Sequence, residues 1–281
     1  MKKLLVILSI IIIPNKLVAE NFNLSEIFSN LIPGEGITEA SIELGSGEMD
    51  FEILALRDIS SDEMSNLFSQ FSLHKQDINN DSRIITNIGL GYRSLSDDKS
   101  SMFGINTFLD YDLEGHTRGS LGLEIKGAMI DITANSYHKI TNMETVNSTE
   151  EQVLSGYEIN LTSQLPYMPW SKINWQNYGW ENEKASADTE GNKVSLEMLL
   201  SPTMQFDVIG DYSDITGVDD QYEYKLSFFY PPRSNEKTLK DGMIADLAFE
   251  KQNMESKLKE KVRRSNNLAV EIQGSIIITS K

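Results

Sequence analysis

The sequence predicts an all-β protein: about twelve antiparallel strands closed into a transmembrane β-barrel, with a C-terminal helix or linker in or near the pore. Three observations carry that expectation. The chain opens like an exported protein. From about Ile37 to Pro231 it is a series of short period-two segments. The connections between those segments are alternately long and short, the asymmetry of an outer-membrane barrel.

The first element is a leader. Lys2 and Lys3 precede an apolar run from Leu4 to Ile13, and Leu17-Val18-Ala19 offers a small residue at the break. This is the pattern of a secretory signal peptide over residues 1–19, cleaved after Ala19. Ten apolar residues are too few to cross a bilayer as a helix. Residues 20–36 read as a short periplasmic lead. The chain has no Cys, which excludes disulfides and thiolate metal sites. Its net charge is −17, and losing Lys2, Lys3 and Lys16 with the leader takes it to −20. That balance opposes binding to nucleic-acid phosphates and to anionic lipid through a basic face.

The strands follow, at 37–45, 49–56, 64–74, 83–93, 102–111, 118–126, 128–138, 153–165, 171–180, 193–200, 203–212 and 221–231. Apolar and polar residues alternate in each, as they do where the two faces of a strand meet different surroundings. Tyr222, Tyr224, Leu226, Phe228 and Tyr230 share one face, with Glu223, Lys225 and Ser227 on the other. Leu121, Leu123 and Ile125 alternate with Gly122, Glu124 and Lys126. Most runs have about nine to eleven residues, the length a tilted membrane-spanning strand needs. Tyr92, Tyr111, Tyr137, Tyr178, Trp180, Tyr212 and Tyr230 stand at run ends, where amphipathic rings form interfacial girdles. A soluble sandwich or a periplasmic ligand-binding barrel would alternate in the same way. The long connections at 139–152 and 181–192, against those at 127 and 201–202, favour the membrane barrel.

Beyond Pro231-Pro232 the chemistry changes. Residues 232–265 read as a basic helical linker, with Leu239, Met243, Leu247, Met254, Leu258 and Val262 at spacings of four and seven over a helix at 236–262. Lys251, Lys257, Lys259, Lys261, Arg263 and Arg264 make its second half basic. An acidic lumen would attract such a segment as a plug. Residues 266–281 return to strand chemistry as a short extended C-terminal segment.

Sites for chemistry are scarce, and no catalytic, cofactor-binding or metal-ligating residue is assigned. The sequence lacks HExxH, GxSxG and a phosphate loop. His74, His116 and His138 all fall at or beside outward-facing strand ends, with Asp110 and Asp112 near His116 and Ser136 near His138. No spacing specifies a nucleophile, base and orienting group. Asp110, Asp112, Asp211, Asp214, Asp219 and Asp220 lack the glycine and terminal glutamate of a calcium loop, and aspartates are ordinary turn residues.

One further pattern runs through the middle of the chain. Leu67-Phe68-Ser69-Gln70, Arg83, Asn87-Ile88-Gly89-Leu90-Gly91-Tyr92-Arg93 and Met102-Phe103-Gly104-Ile105-Asn106-Thr107-Phe108-Leu109-Asp110-Tyr111-Asp112 appear in order. Gly122-Leu123-Glu124, Ala134-Asn135-Ser136-Tyr137, Gly156-Tyr157-Glu158-Ile159, Leu165-Pro166-Tyr167-Met168-Pro169, Tyr178-Gly179 and Val262-Arg263-Arg264-Ser265-Asn266-Asn267-Leu268-Ala269-Val270-Glu271 follow. Together they resemble the β-barrel domain of the intimin/invasin family, the inverse autotransporters. The resemblance implies twelve strands, a periplasmic N-terminus and a C-terminal linker that enters the pore and carries a passenger to the surface. Gly89, Gly91, Gly104 and Gly122 would then mark close approaches in a filled lumen. The chain ends at Lys281, so the expected form is a barrel without passenger domains. The partners this implies are outer-membrane lipid, the barrel-assembly machinery with periplasmic chaperones, and an external cell surface. The expected role is membrane anchor and translocator, with surface attachment through the 139–152 and 181–192 loops. The alternative is a small porin-like channel lined by Glu124, Glu158, Asp207 and Glu223.

Overall fold

The computed structural model describes residues 32–45, 49–79, 81–185, 187–214, 220–249, 254–272 and 275–277. The leader at 1–19 and most of the lead at 20–36 lie outside them.

Twelve strands close an antiparallel barrel: β1 (Gly36–Leu44), β2 (Met49–Ser61), β3 (Ser65–Ile78), β4 (Asp81–Leu95), β5 (Ser101–Asp112), β6 (Thr117–Gly127), β7 (Ile130–Lys139), β10 (Gly156–Leu165), β11 (Met168–Trp180), β12 (Thr189–Ser201), β13 (Met204–Ser213) and β14 (Gln221–Tyr230). Each pairs with its neighbour in sequence, and β1 closes on β14 from Thr38↔Tyr230 to Leu44↔Tyr224. No backbone edge is left open to hydrocarbon, which a membrane-spanning sheet requires. Beside the seam, Arg57 of β2 fastens the lead and β1. Arg57 donates to the carbonyls of Ile32 at 2.8 Å and Leu56 at 2.9 Å, and to Thr38 Oγ1 at 2.7 Å. Gly36, at φ +135°, begins β1 where an added Cβ would sit 2.0 Å from the Leu56 oxygen, so only glycine fits there.

The alternation read from the sequence sorts the two faces. Phe103, Ile105, Leu109, Leu121, Leu123, Ile125, Ile159 and Trp175 are exposed on the outer wall, while Asn87, Asn106, Asp110, Arg118, Glu124, Asn135 and Glu158 are buried inside. An exposed apolar belt around a polar interior is the arrangement that lipid stabilises and water does not. The aromatic girdle is thinner than the sequence implied. Tyr92, Tyr111 and Tyr212 are exposed, but Tyr137, Tyr178 and Trp180 are buried. The first two of these share their strand parity with Asn135 and Gln176, so they point into the lumen, where they pack with Leu154 and Ala269.

The two mouths differ. One carries the turns at 62–64, 96–100, 128–129, 166–167 and 202–203, and the other carries the connections at 45–48, 79–80, 113–116, 140–155, 181–188 and 214–220. The 140–155 connection contains a hairpin, β8 (Glu144–Val146) and β9 (Thr149–Val153), where the sequence pattern predicts the 139–152 loop. After β14 the chain crosses the turn mouth and enters the barrel. The expected helix over 236–262 is not formed among the described residues. Among the described residues of that span are a 3₁₀ turn at Leu239–Asp241 and one helical turn, α1 (Met254–Lys257). Residues 232–238 and 242–249 follow turns and bends, and residues 260–269 run extended, for reasons that lie in the lumen.

Candidate functional site

The lumen is occupied by the chain's own linker. At the turn mouth Met254 and Leu258 join Leu95 and Met102 in an apolar cluster backed by Met64. Lys257 donates to the Gly127 carbonyl at 2.9 Å and pairs with Asp131. Residues 258–269 then pass along the inner wall to the loop mouth. An α-helix satisfies its backbone internally, whereas here side chains of the wall do so. Gln70 Oε1 accepts the Val262 N–H at 2.8 Å, and the Tyr137 hydroxyl accepts that of Ser265 at 2.8 Å. Gln76 takes the Leu268 N–H at 2.9 Å and donates to its carbonyl at 2.8 Å. Buried backbone polar groups must find partners, and these glutamines allow the linker to be extended.

Charge fixes the register. Lys259 meets Asp58 at 2.6 Å, Lys261 meets Glu39 at 2.7 Å and Arg263 meets Glu197 at 2.7 Å. Arg264 grips Asp110 with both arms, at 2.9 and 2.7 Å, and lies over the Phe108 ring at 4.3 Å. Arg118 reaches the same carboxylate at 2.8 Å and lies over Tyr137 at 4.3 Å. The Nη2 that makes this pair also donates to the Ser265 carbonyl at 3.0 Å. Arg93, stacked on Phe68, is held by Glu124 at 2.7 Å and donates to the carbonyls of Leu258 and Glu260. Bidentate, desolvated pairs of this kind are the geometrically most selective contacts available to a lumen. The basic half of the linker is thus matched by wall carboxylates, as its charge implied. The lumen itself is mixed rather than acidic, because Arg83, Arg93 and Arg118 also point inward.

The four glycines have a steric role here. An added Cβ would meet Phe108 at 2.4 Å from Gly89, Phe68 at 2.3 Å from Gly91, Glu124 at 2.7 Å from Gly104 and Asn106 at 2.3 Å from Gly122. Each glycine faces that residue across the sheet. Phe108 and Phe68, over Gly89 and Gly91, pack against Val262 of the linker.

At the loop mouth the linker becomes sheet. The Leu154 N–H donates to the Ala269 carbonyl at 2.9 Å. β15 (Val270–Ile272) then pairs with β9, and β16 (Ser275–Ile277) pairs with β15, giving the order β16-β15-β9-β8. Ile78, Ile85, Val153, Leu268, Val270 and Ile272 form an apolar stopper beneath it. Arg83 holds the hairpin through Glu151 at 2.6 and 2.7 Å, and His116 Nε2 lies 3.3 Å from the same carboxylate. Burial pushes the Glu151 carboxyl up, but the hydrogen bonds and charges of His116 and Arg83 outweigh it and hold its pKa below the usual value. The Glu271 carboxylate accepts backbone N–H groups of Glu183, Lys184 and Ala185 at 2.7–3.0 Å, tying the 181–188 loop to the emerging strand.

The remaining residues singled out in the sequence are distributed as follows. Glu124 and Glu158 are bound up with Arg93 and with Asn135 and Gln176. Asp207, Glu223 and His74 line a polar cavity of about 240 Å³ between the linker and the wall formed by β1–β3 and β10–β14. Asp110 and Asp112 are committed to arginines. Ser136 Oγ lies 2.9 Å from His138 Nε2 on the outer wall, and no carboxylate completes the pair among the described residues. Gln70, Gln76, Tyr137, Arg83 and Glu271 were not foreseen as site residues. All but Gln76 stand in the blocks that carry the family resemblance, and inward parity opposite Arg263-Arg264-Ser265-Asn266 was the signal that could have assigned them a role.

Comparison with known proteins agrees with this geometry. The family model described as inverse autotransporter, beta-domain matches residues 29–266. Invasin from Yersinia enterocolitica is 31% identical over 120 residues, which is 41% of this chain and 14% of that protein. The chain therefore matches only a small part of that relative's length. A structure from work on the in-meso crystallization of membrane proteins superposes with a TM-score of 0.67 at 19% identity, over 84% of this chain and all of the other. An outer membrane channel from Pseudomonas putida F1 gives 0.51 at 10% identity, over 71% and 97% of the two chains. At these identities the superpositions speak to the fold alone.

Proposed function

The chain belongs to the inverse autotransporter β-domain family, and from that premise we propose that this outer-membrane barrel is an anchor and translocator for its own C-terminal segment. The turn mouth then faces the periplasm and the loop mouth faces outward. The observation that carries the reading is the path of residues 254–272, which enter at one mouth, fill the pore and pair with a hairpin at the other. The extended linker supports a threaded substrate arrested at the end of its passage, since wall glutamines and arginines grip backbone groups that a helix would have closed on itself. A tag placed after Lys281 should be open to external antibody on intact cells in which the barrel fractionates with the outer membrane. A tag shielded until the membrane is permeabilised would overturn this.

Surface attachment is proposed for the composite formed by the 139–152 and 181–192 loops, which the Glu271 carboxylate and β9 join to the emerging strand. Deleting both loops should abolish any surface binding the barrel confers, and unchanged binding would remove that role. A second reading, a small porin-like channel, is supported by the polar cavity beside the linker, lined by Lys193, Asp207, Glu223 and Lys225 among others. Deleting residues 233–281 should then open a steady cation-selective conductance that the full chain lacks.

A further inference from the structure

The apolar positions that suggested a helix divide into two groups. Met254, Leu258 and Val262 are buried in the pore. Those before them are not. Met243, Ile244, Leu247 and Phe249 are 69%, 76%, 65% and 40% exposed, within one stretch of seven residues. Neither the pore nor the loop-mouth sheet uses them. Concentrated exposure of large apolar side chains marks an interaction surface.

This stretch is fastened to the barrel rim. The Ala245 N–H donates to the Tyr167 carbonyl and the Tyr167 N–H to the Ala248 carbonyl, both at 2.8 Å, while the Trp170 indole donates to the Met243 carbonyl at 3.0 Å. Tyr167 belongs to the turn between β10 and β11, so these bonds hold the segment at the turn mouth. Tyr167 itself adopts φ +63°, a conformation that favours glycine or asparagine. The rim keeps a half-exposed aromatic ring there despite that cost. Met168 beside it is exposed, and Ile173 and Trp175 continue the same strand into the lipid-facing belt. Tyrosine and tryptophan concentrate where a bilayer meets water.

We propose that residues 242–249 form a strap that inserts Met243, Ile244, Leu247 and Phe249 into the membrane leaflet at the turn mouth. The partner is lipid, because the patch is continuous through Tyr167, Met168 and Trp170 with a surface that lipid already covers. Asp246 lies on the strap and Asp241 just before it, so burial of apolar area holds it, and anionic headgroups add nothing. The strap fixes the linker at the rim before it turns into the pore. That the leaflet is periplasmic rests on the orientation proposed above; insertion itself does not.

The absence of Cys makes a labelling test direct. A nitroxide on Ile244→Cys, in the full-length barrel reconstituted in zwitterionic nanodiscs, is compared with a lipid-facing control, Ile125→Cys, and an aqueous control on the exposed turn, Glu63→Cys. The inference expects oxygen to relax the Ile244→Cys label as strongly as the lipid control, with little access by a water-soluble nickel chelate and no change in salt. A Leu247→Cys label should give the same pattern. Nickel access equal to that of Glu63→Cys at both positions would overturn it. So would spin–spin broadening between barrels, which would place a second copy on the patch. Both readouts are indifferent to which mouth faces outward, so they can fail while the translocator reading stands.

Discussion

The two sides of the lumen are built from the same alternating strands and reach different physical states. On the β3–β7 side the wall presents Phe68 and Phe108 over glycines and Tyr137 beside them, with arginines stacked on the rings and clamped by Asp110 and Glu124. The linker lies against this side, contacted both through its charges and through its backbone. On the β11–β14 side Lys193, Glu223, Lys225 and Asp207 border a cavity, and the linker sends across it mainly Arg263 to Glu197. Charge alone is therefore not what holds the linker. The holding side adds aromatic planes, carboxamides at backbone pitch, and space cleared by missing Cβ atoms.

Breaking that difference should cost most at Asp110. Asp110→Ala leaves Arg118 and Arg264 buried without their shared carboxylate, and removing one partner of a buried pair costs about 3–5 kcal/mol. The unfolding midpoint of the inserted barrel, followed by heat-modifiable migration, should fall accordingly. Gly89→Val should cost about 1–3 kcal/mol by the same assay, because it displaces the ring on which Arg264 rests. Gly119→Ala serves as its control, since an added Cβ there meets Ile140 Cδ1 at an ordinary 3.4 Å.

A smaller effect is expected at the loop mouth. The lowered pKa of Glu151 means that its contribution is complete above the ordinary carboxylate range and is lost as pH falls through the lowered value. The protection factors of β9 and β15 amides, measured against intrinsic exchange at each pH, should fall on acidification, and Glu151→Gln should remove that dependence while lowering protection at neutral pH. An identical acid response in Glu151→Gln would move the cause elsewhere. Smallest of all is Asp207→Asn on the cavity side, expected to change the midpoint by less than about 1 kcal/mol, the usual scale away from tightly packed networks. A loss matching that of Asp110→Ala would erase the contrast between the two sides.

Much of the barrel was legible because period-two alternation is local: Leu121 to Lys126 can be sorted by face without knowing any neighbour. The short β8–β9 hairpin was not, since Thr149-Glu150-Glu151-Gln152 has no apolar face to alternate. Tyr137 and Tyr178 looked like girdle residues because a run-end position is the same for either face, and only comparison with Asn135 and Gln176 on the same strands gives their direction. The linker misled in an instructive way. Leu258 and Val262 are spaced for a helix, but Gln70 and Gln76, nearly two hundred residues away in sequence, supply the partners that let the backbone stay extended. The pairing of Arg264 with Asp110 is likewise nonlocal, and charge composition alone could show that the linker suits the lumen without showing where it sits.

The central claim is that the linker traverses the pore and its end pairs with β9 beyond the far mouth. Val153 and Val270 face each other in that pairing, at the separation of about 4.5–5.5 Å typical of antiparallel partners, which a disulfide can bridge. In the otherwise cysteine-free chain, Val153→Cys with Val270→Cys should form an intramolecular disulfide on mild oxidation of the membrane-inserted barrel. A folded, inserted barrel whose two thiols stay free under the same oxidant would contradict the account.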